Sequence, residues 1–541
     1  MTTLRRLVYL ARADFLERVR RYAFLVTMVV CVCLAYAFVP PNPSKYVTLK
    51  FGEYRGIYNS AWIGTSLALL CGTFLSVIGF YLVKNTIDTD RRTRVGQVLA
   101  ATSMSKVQYT IGKTLSNFAV LAAMTLMVAV AAIGMQLLRA EDRSIDLVQL
   151  FLPFALLTLP TLMVTAALAV FFETIPGLRG GIGNVVFFFG WIGLLSAGFS
   201  AGDRLLAHND LLGAGIAWPS MAETCARFFP AFDAAHPSTS MGINVRGEGL
   251  WTLETFPWNG IHWTPAMLGW RALWLLGGLA LGAVASLPFD RFDSARAINP
   301  GRRTGRRFGG KQPRVSDAGA VVAATAAPAR EVHLTPLAKD EHRARAGAMI
   351  VAEWKLITRG LRWWYAGPLA VLVVSLFLPV QHLRHPVLVL AFLWPVLLWS
   401  RLGTRERRHN TEGIFYSAPR PLSRQLPATW LAGIGVSLLM CAPIAVRLVI
   451  AGEGGALLAL FVGAAFVPAL AIALGVWTGS GKFFEAFYMF MWYAALQRVP
   501  SLDYMGSTAV GVAGGGAAGF AVATLLLLAF AAVGRHRRLQ N

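Results

Sequence analysis

Charged residues are scarce, 14 % of 541 positions, against about a quarter in soluble domains. With 56 % hydrophobic residues and a mean hydropathy of +0.55, that shortage excludes an ordinary water-soluble fold and indicates an integral membrane protein. Cysteine is nearly missing. Cys31, Cys33, Cys71 and Cys441 fall inside apolar runs and Cys225 stands alone, so there is neither a disulfide framework nor a metal-binding spacing. Aspartate, glutamate and lysine are missing from the middle of every apolar run. Intramembrane ionisable groups usually mark proton or ion relays, so their lack argues against an ion-coupled pump. No HExxH and no GxSxG occurs, which leaves a membrane peptidase or esterase without a metal site or a nucleophile. The stretch Thr478-Gly479-Ser480-Gly481-Lys482-Phe483 has the outline of a phosphate loop and fails as one. Val476 occupies the first glycine position, and Phe483 offers magnesium no hydroxyl. His382 and His385 lack a third ligand and read as exposed polar residues.

What the chain has is apolar length. Runs lie near 23–39, 60–82, 114–138, 148–172, 182–200 and 266–288, then near 365–380, 386–400, 428–450, 455–477, 483–497 and 508–533. They reach or approach the roughly 17 to 25 residues that cross a bilayer. An all-α integral membrane protein with about twelve spans is expected, the seventh, eighth and eleventh being short. Cationic loops are held on the cytoplasmic side during insertion. With both termini inside, the formal charge of +23 collects on that one face, so a multi-pass cell-membrane protein with cytoplasmic termini is expected. The basic balance then reflects topology and attraction to anionic membrane lipid. No nucleic acid partner is expected, because no reader fold or aromatic-basic platform accompanies the charge.

The spans group into two tandem six-helix repeats. Each is opened by an amphipathic helix suited to the membrane interface. One carries Leu4, Leu7, Val8, Ala11 and Phe15 at helical spacing, and the other Ile350, Trp354, Ile357 and Leu361. The first span is read as retained and not as a cleaved signal, since about twenty residues that include Asp14 and Glu17 precede its apolar run, and the same design reappears before the seventh span. Glycine-rich turns with a single cation, 177–181 and 479–482, follow the fourth and tenth spans. This gives a first six-span permease unit over 1–289, a basic flexible cytoplasmic linker over 290–346, and a second unit over 347–541, arranged as parallel copies. The halves differ outside, where only the first has long loops, 40–58 and 201–265.

The most informative repeat follows the second and eighth spans. It runs from Asp90 to Lys106 and again from Glu406 to Arg424. Each copy has an acid, an arginine pair (Arg91-Arg92, Arg407-Arg408), a glycine (Gly96, Gly413), a short apolar run, and Ser followed by a cation (Ser105-Lys106, Ser423-Arg424). A half-apolar, charged segment held at the inner mouth has the chemistry of a docking helix, with Val95, Val98 and Leu99, and Ile414, Phe415 and Tyr416, resting on the spans. The arginine pairs suit lipid phosphates, acids on a partner, or simple anchoring equally well. The glycines permit close approach or a bend.

With those residues, the chain resembles an ABC exporter permease of the second type, two units fused in one polypeptide. Val98-Leu99-Ala100-Ala101-Thr102, Ser105-Lys106 and Gly112-Lys113 echo the family pattern without its turn proline. Thr411-Glu412, Ser417-Ala418-Pro419 and Ser423-Arg424 echo it again, with Trp430 in place of the second lysine. The near loss of the long outer loop in the second half departs from the pattern. The resemblance implies a separate cytoplasmic ATP-binding-cassette ATPase, two copies or a heterodimer, docked on both segments. ATP and Mg would then belong to that partner, leaving no cofactor, metal or catalytic residue in this chain. Two rivals use the same features: a secondary carrier of the major facilitator type, and a non-transport membrane scaffold. Trp218, Trp251, Trp258 and Trp263, in the 201–265 loop, fit either an outer gate that re-enters the membrane or the core of a folded outer cap.

Overall fold

The computed structural model describes residues 3–20, 22–44, 46–200, 210–234, 238–245, 251–292, 346–359, 362–409, 411–413, 417, 421–499 and 502–540. Among them, eight helices are long and apolar enough to cross a membrane: Ser60–Arg92, Lys106–Arg139, Leu147–Thr174, Pro265–Val284, Val380–Trp399, Leu422–Ile450, Gly454–Thr478 and Gly516–Arg538. The chain is therefore a helical, membrane-embedded protein. Four further helices, Tyr22–Phe38, Gly181–Ser200, Ala366–Phe377 and Gly481–Leu496, occupy the other four apolar runs.

The helices pack in two parallel series. Lys106–Arg139 lies against Thr3–Val19, Tyr22–Phe38 and Leu159–Thr174, and the last of these lies against Pro265–Val284. In the second half Pro421–Ile450 lies against Ala346–Thr358, Ala366–Phe377 and Gly454–Thr478, and the last of these lies against Gly516–Gln540. Ser105 starts the long helix of the first series with a reciprocal cap. Its Oγ accepts from the Gln108 N–H at 3.2 Å while Gln108 Oε1 accepts from the Ser105 N–H at 3.1 Å. At 34 residues this helix is about 50 Å long, beyond the roughly 30 Å of a hydrocarbon core. Its first turns, up to Lys113, precede the apolar run that begins near 114.

The loops of the first half around 46–56 and 239–256 add a four-stranded sheet that hydrophobic periodicity did not announce. Strands β1 (Tyr46–Phe51), β2 (Tyr54–Gly56), β3 (Thr239–Val245) and β4 (Glu254–Phe256) stand in the order β3-β1-β2-β4. Only the β2–β4 pairing is parallel. Strands this short cannot hold a sheet unaided. This one rests on Trp62, buried beneath it, with Phe51, Phe256 and Trp258 meeting the indole edge to face. Arg55 and Glu141, 2.6 Å apart, tie the sheet to the next outer loop.

Candidate functional site: the inner face and its two docking segments

The first candidate docking segment is built by left-handed turns at non-glycine residues. Asn85 (φ 104°) and Arg94 (φ 62°) break the chain into Thr86–Arg92 and Val95–Ala100, and such residues stay in that region only when held there. Glu173 holds the first turn. Its carboxylate accepts from the backbone N–H groups of Thr86 (3.0 Å), Ile87 (2.8 Å) and Asp88 (3.2 Å), and from that of Asn85.

The second half of the segment is gripped by 289–292, the junction that leaves the first unit. Arg91 pairs with Asp290 at 2.6 Å, and Lys106 donates to the Phe289 carbonyl at 2.8 Å. Arg291 donates to the carbonyls of Ala100, Thr102 and Met104. The Phe292 ring lies where a Cβ on Gly96 would sit, 2.5 Å away, so only glycine allows this approach. Burial pushes the Asp290 carboxyl up, yet the charges of Arg91 and Arg179 outweigh it and hold the group below its ordinary range. Residues 290–292 thus pack with the first unit, although composition alone assigns them to the linker. Nothing in periodicity marks such a clasp.

Behind the segment lies a buried carboxylate pair. Asp14 of the opening helix and Asp90 of the docking segment each lie 2.7 Å from Lys113 Nζ, and Tyr109 donates to Asp90 at 2.6 Å. Burial pushes the Asp14 carboxyl above its ordinary range, with Lys113 opposing. In the second half Glu353 of the opening helix and Glu406 of the docking segment are both buried, and Arg405 pairs with each. Trp430 lends no charge there; its indole donates to the Ala465 carbonyl.

The individual docking residues divide into two sets. Arg91, Gly96, Leu99, Ser105 and Lys106 serve the fold, with Leu99 on the cluster of Ile87, Tyr109 and Phe289. Arg92 is exposed beside Asp88 at 3.2 Å. Val95 and Val98 were expected to rest on the spans; instead they are 46 % and 68 % exposed. Gly96 takes the inward position between them, and that reverses the face. In the second copy Arg407, Arg408, Thr411, Gly413, Ser423 and Arg424 are exposed. Glu412 pairs with Arg538 of the last helix at 3.0 Å. Tyr416 and Pro419, with Ile414 and Phe415, lie outside the described residues.

Between the halves, at the same inner level, Lys84 donates to the carbonyls of Leu178 and Gly180 and to Asn184 Oδ1 at 2.7 Å. Asn184 passes the contact on to Glu485, and Lys482 donates to the Lys84 carbonyl at 3.2 Å. Away from this polar seam, Phe188 and Phe189 meet Trp492, and Phe74 meets Phe490. Sequence reasoning found the two glycine turns and missed Lys84, whose partners are set only by the fold.

Three of the four tryptophans of the 201–265 loop, Trp218, Trp258 and Trp263, belong to one core cluster. Trp258 is buried against Trp62 and donates to Ser220 at 3.3 Å. Trp251 donates to the Asn244 carbonyl under Lys50. Trp218 and Trp263 are half-buried against the first-half core. His385 meets the Leu496 carbonyl at 3.1 Å, and no metal-holding group of three or more ligands occurs among the described residues. Compared with family models, with curated proteins and with solved structures, the chain matches none.

Proposed function

We propose that this chain is the membrane permease of an ATP-driven ABC exporter, two six-helix units fused in one polypeptide, with both termini cytoplasmic. It works with a separate ATPase received on the two docking segments. One observation carries the reading. In both halves a cation, buried Lys113 in the first and half-buried Arg405 in the second, joins a carboxylate of the opening helix to a carboxylate of the docking segment, Asp14 with Asp90 and Glu353 with Glu406. A force applied to either segment is thereby passed to the interfacial helix and the spans on which it lies. The matched packing series of the two halves agrees with parallel copies.

The major-facilitator reading draws on the ionisable residues Lys84, Glu173, Lys482 and Glu485. They sit at helix ends, and Glu173 is wholly engaged by backbone N–H groups, which suits a structural cap better than a proton relay. The scaffold reading makes no use of a seam between halves. The test is purification of the full-length chain from its native membrane. A co-purifying nucleotide-hydrolysing subunit, and cargo movement that stops when that subunit is washed away, are expected. Full transport by the chain alone would refute the proposal.

A further inference from the structure

A cavity of about 340 Å³ opens where the opening helix, the first docking segment and the 478–486 stretch of the second half meet. Its polar end carries five cations and three acids. Asp14 and Asp90 are taken by Lys113, Arg18 is bound to Asn117 and Thr86, and Lys84 is buried on three oxygen acceptors. Glu17 has a partner of its own and Arg92 is paired with Asp88, so Lys482 is the cation left over. Its ammonium has the Lys84 carbonyl as its one acceptor, and no carboxylate lies within ion-pair distance among the described residues. The acids that answer it at longer range, Glu173, Glu485 and Asp88, are already engaged by backbone N–H groups, by Asn184 and by Arg92. A half-buried ammonium with donors to spare is costly unless something accepts them. The rest of the lining is largely apolar: Phe24, Tyr81, Leu82, Val120, Met124 and Phe483.

We propose that this cavity binds a phosphate group, oriented to Lys482 with Arg92 and Ser480 beside it, carried by an amphiphile whose chain lies along the apolar wall. The stretch 479–482, which cannot be a nucleotide loop, would thus still receive a phosphate. The geometry is one of a cationic end beside an apolar wall, at the level of an interfacial helix, where an anionic lipid headgroup would be met. The inference holds whether or not the chain exports anything.

The test uses the full-length chain in a neutral detergent, with bound ligand counted by native mass spectrometry. The probes are a short-chain phosphatidylglycerol, its phosphatidylcholine counterpart and inorganic phosphate. Phosphatidylglycerol should be retained in preference to phosphatidylcholine, and Lys482→Gln should weaken retention about tenfold, as for one lost charge-assisted bond. Lys482→Arg should keep it. Arg92→Gln, at a surface position that folding tolerates, should weaken it too. If inorganic phosphate binds with the same dependence on Lys482, the phosphate site stands and its occupant is the free anion. If it does not displace the lipid, the occupant is the headgroup. Equal retention of phosphatidylglycerol by the parent chain and both glutamine variants would overturn the inference, as would equal retention of phosphatidylcholine.

Discussion

Lys113 and Arg405 perform one task from places in the chain that do not correspond. When Asp90 is set against Glu406, Arg405 falls opposite Thr89 and Lys113 falls opposite Thr429. Each cation nevertheless joins an opening-helix acid to a docking-segment acid. The charge requirement has been met from a different backbone position in each half. Lys113→Met would leave two carboxylates facing one another in a buried site, and removing one partner of such a cluster costs about 3–5 kcal/mol. A lower unfolding temperature in detergent is expected. Thr89→Arg in the same background places the cation where the second half has it and should restore part of the loss. A double variant no more stable than Lys113→Met would refute the equivalence.

The clasp at 289–292 carries a pH signature. The Asp290 carboxyl is held below its ordinary value, burial being outweighed by Arg91 and Arg179. A carboxyl depressed on folding stabilises the folded state above its unfolded pKa, near 3.9, and that contribution fades as the pH falls through the lower folded value. Hydrogen exchange across 95–105 should therefore quicken as the pH is lowered from 5 to 3, after correction for intrinsic rates. Asp290→Asn should exchange faster already at pH 7 and flatten the response.

The long apolar helices were legible in the sequence because apolar period acts locally. The clasp was not, because Asp290, Arg291 and Phe292 look like the first residues of a basic tether until the fold brings them to Arg91 and Gly96. The same holds for Lys84, which reads as a flanking cation and is in fact buried between the halves. The outward face of the first docking helix was misjudged by hydrophobicity, since Val95 and Val98 are apolar and exposed while the glycine between them is buried. The sheet depends on pairing β1 with β3 across nearly the whole first unit, a contact no local pattern encodes.

Trp258 decides between an outer gate and an outer cap. Its indole is buried against Trp62 and bonded to Ser220, so Trp258→Ala removes a ring from a packed interior, a change that costs about 3–5 kcal/mol. The expected outcome is loss of the sheet, read as rapid proteolysis at 40–58 and 238–256, with the inner face unaffected. An intact, protease-resistant cap together with altered cargo flux would instead favour a gate.

Gly96 and Val98 separate the shape of the docking segment from its surface. Gly96→Ala drives a Cβ into the Phe292 ring, so the segment must lift from its clasp. Hydrogen exchange over 95–105 should rise, and ATPase capture should fall with it. Val98 is 68 % exposed, and Val98→Glu touches nothing within the chain that depends on it. Its exchange pattern and unfolding temperature should match those of the parent. If this face is where the partner sits, a buried carboxylate replaces an apolar contact worth about 1.5 kcal/mol or more, and capture of the ATPase should weaken at least about tenfold. Unchanged capture by Val98→Glu alongside loss with Gly96→Ala would mean that the partner reads the clasp and not the exposed valines.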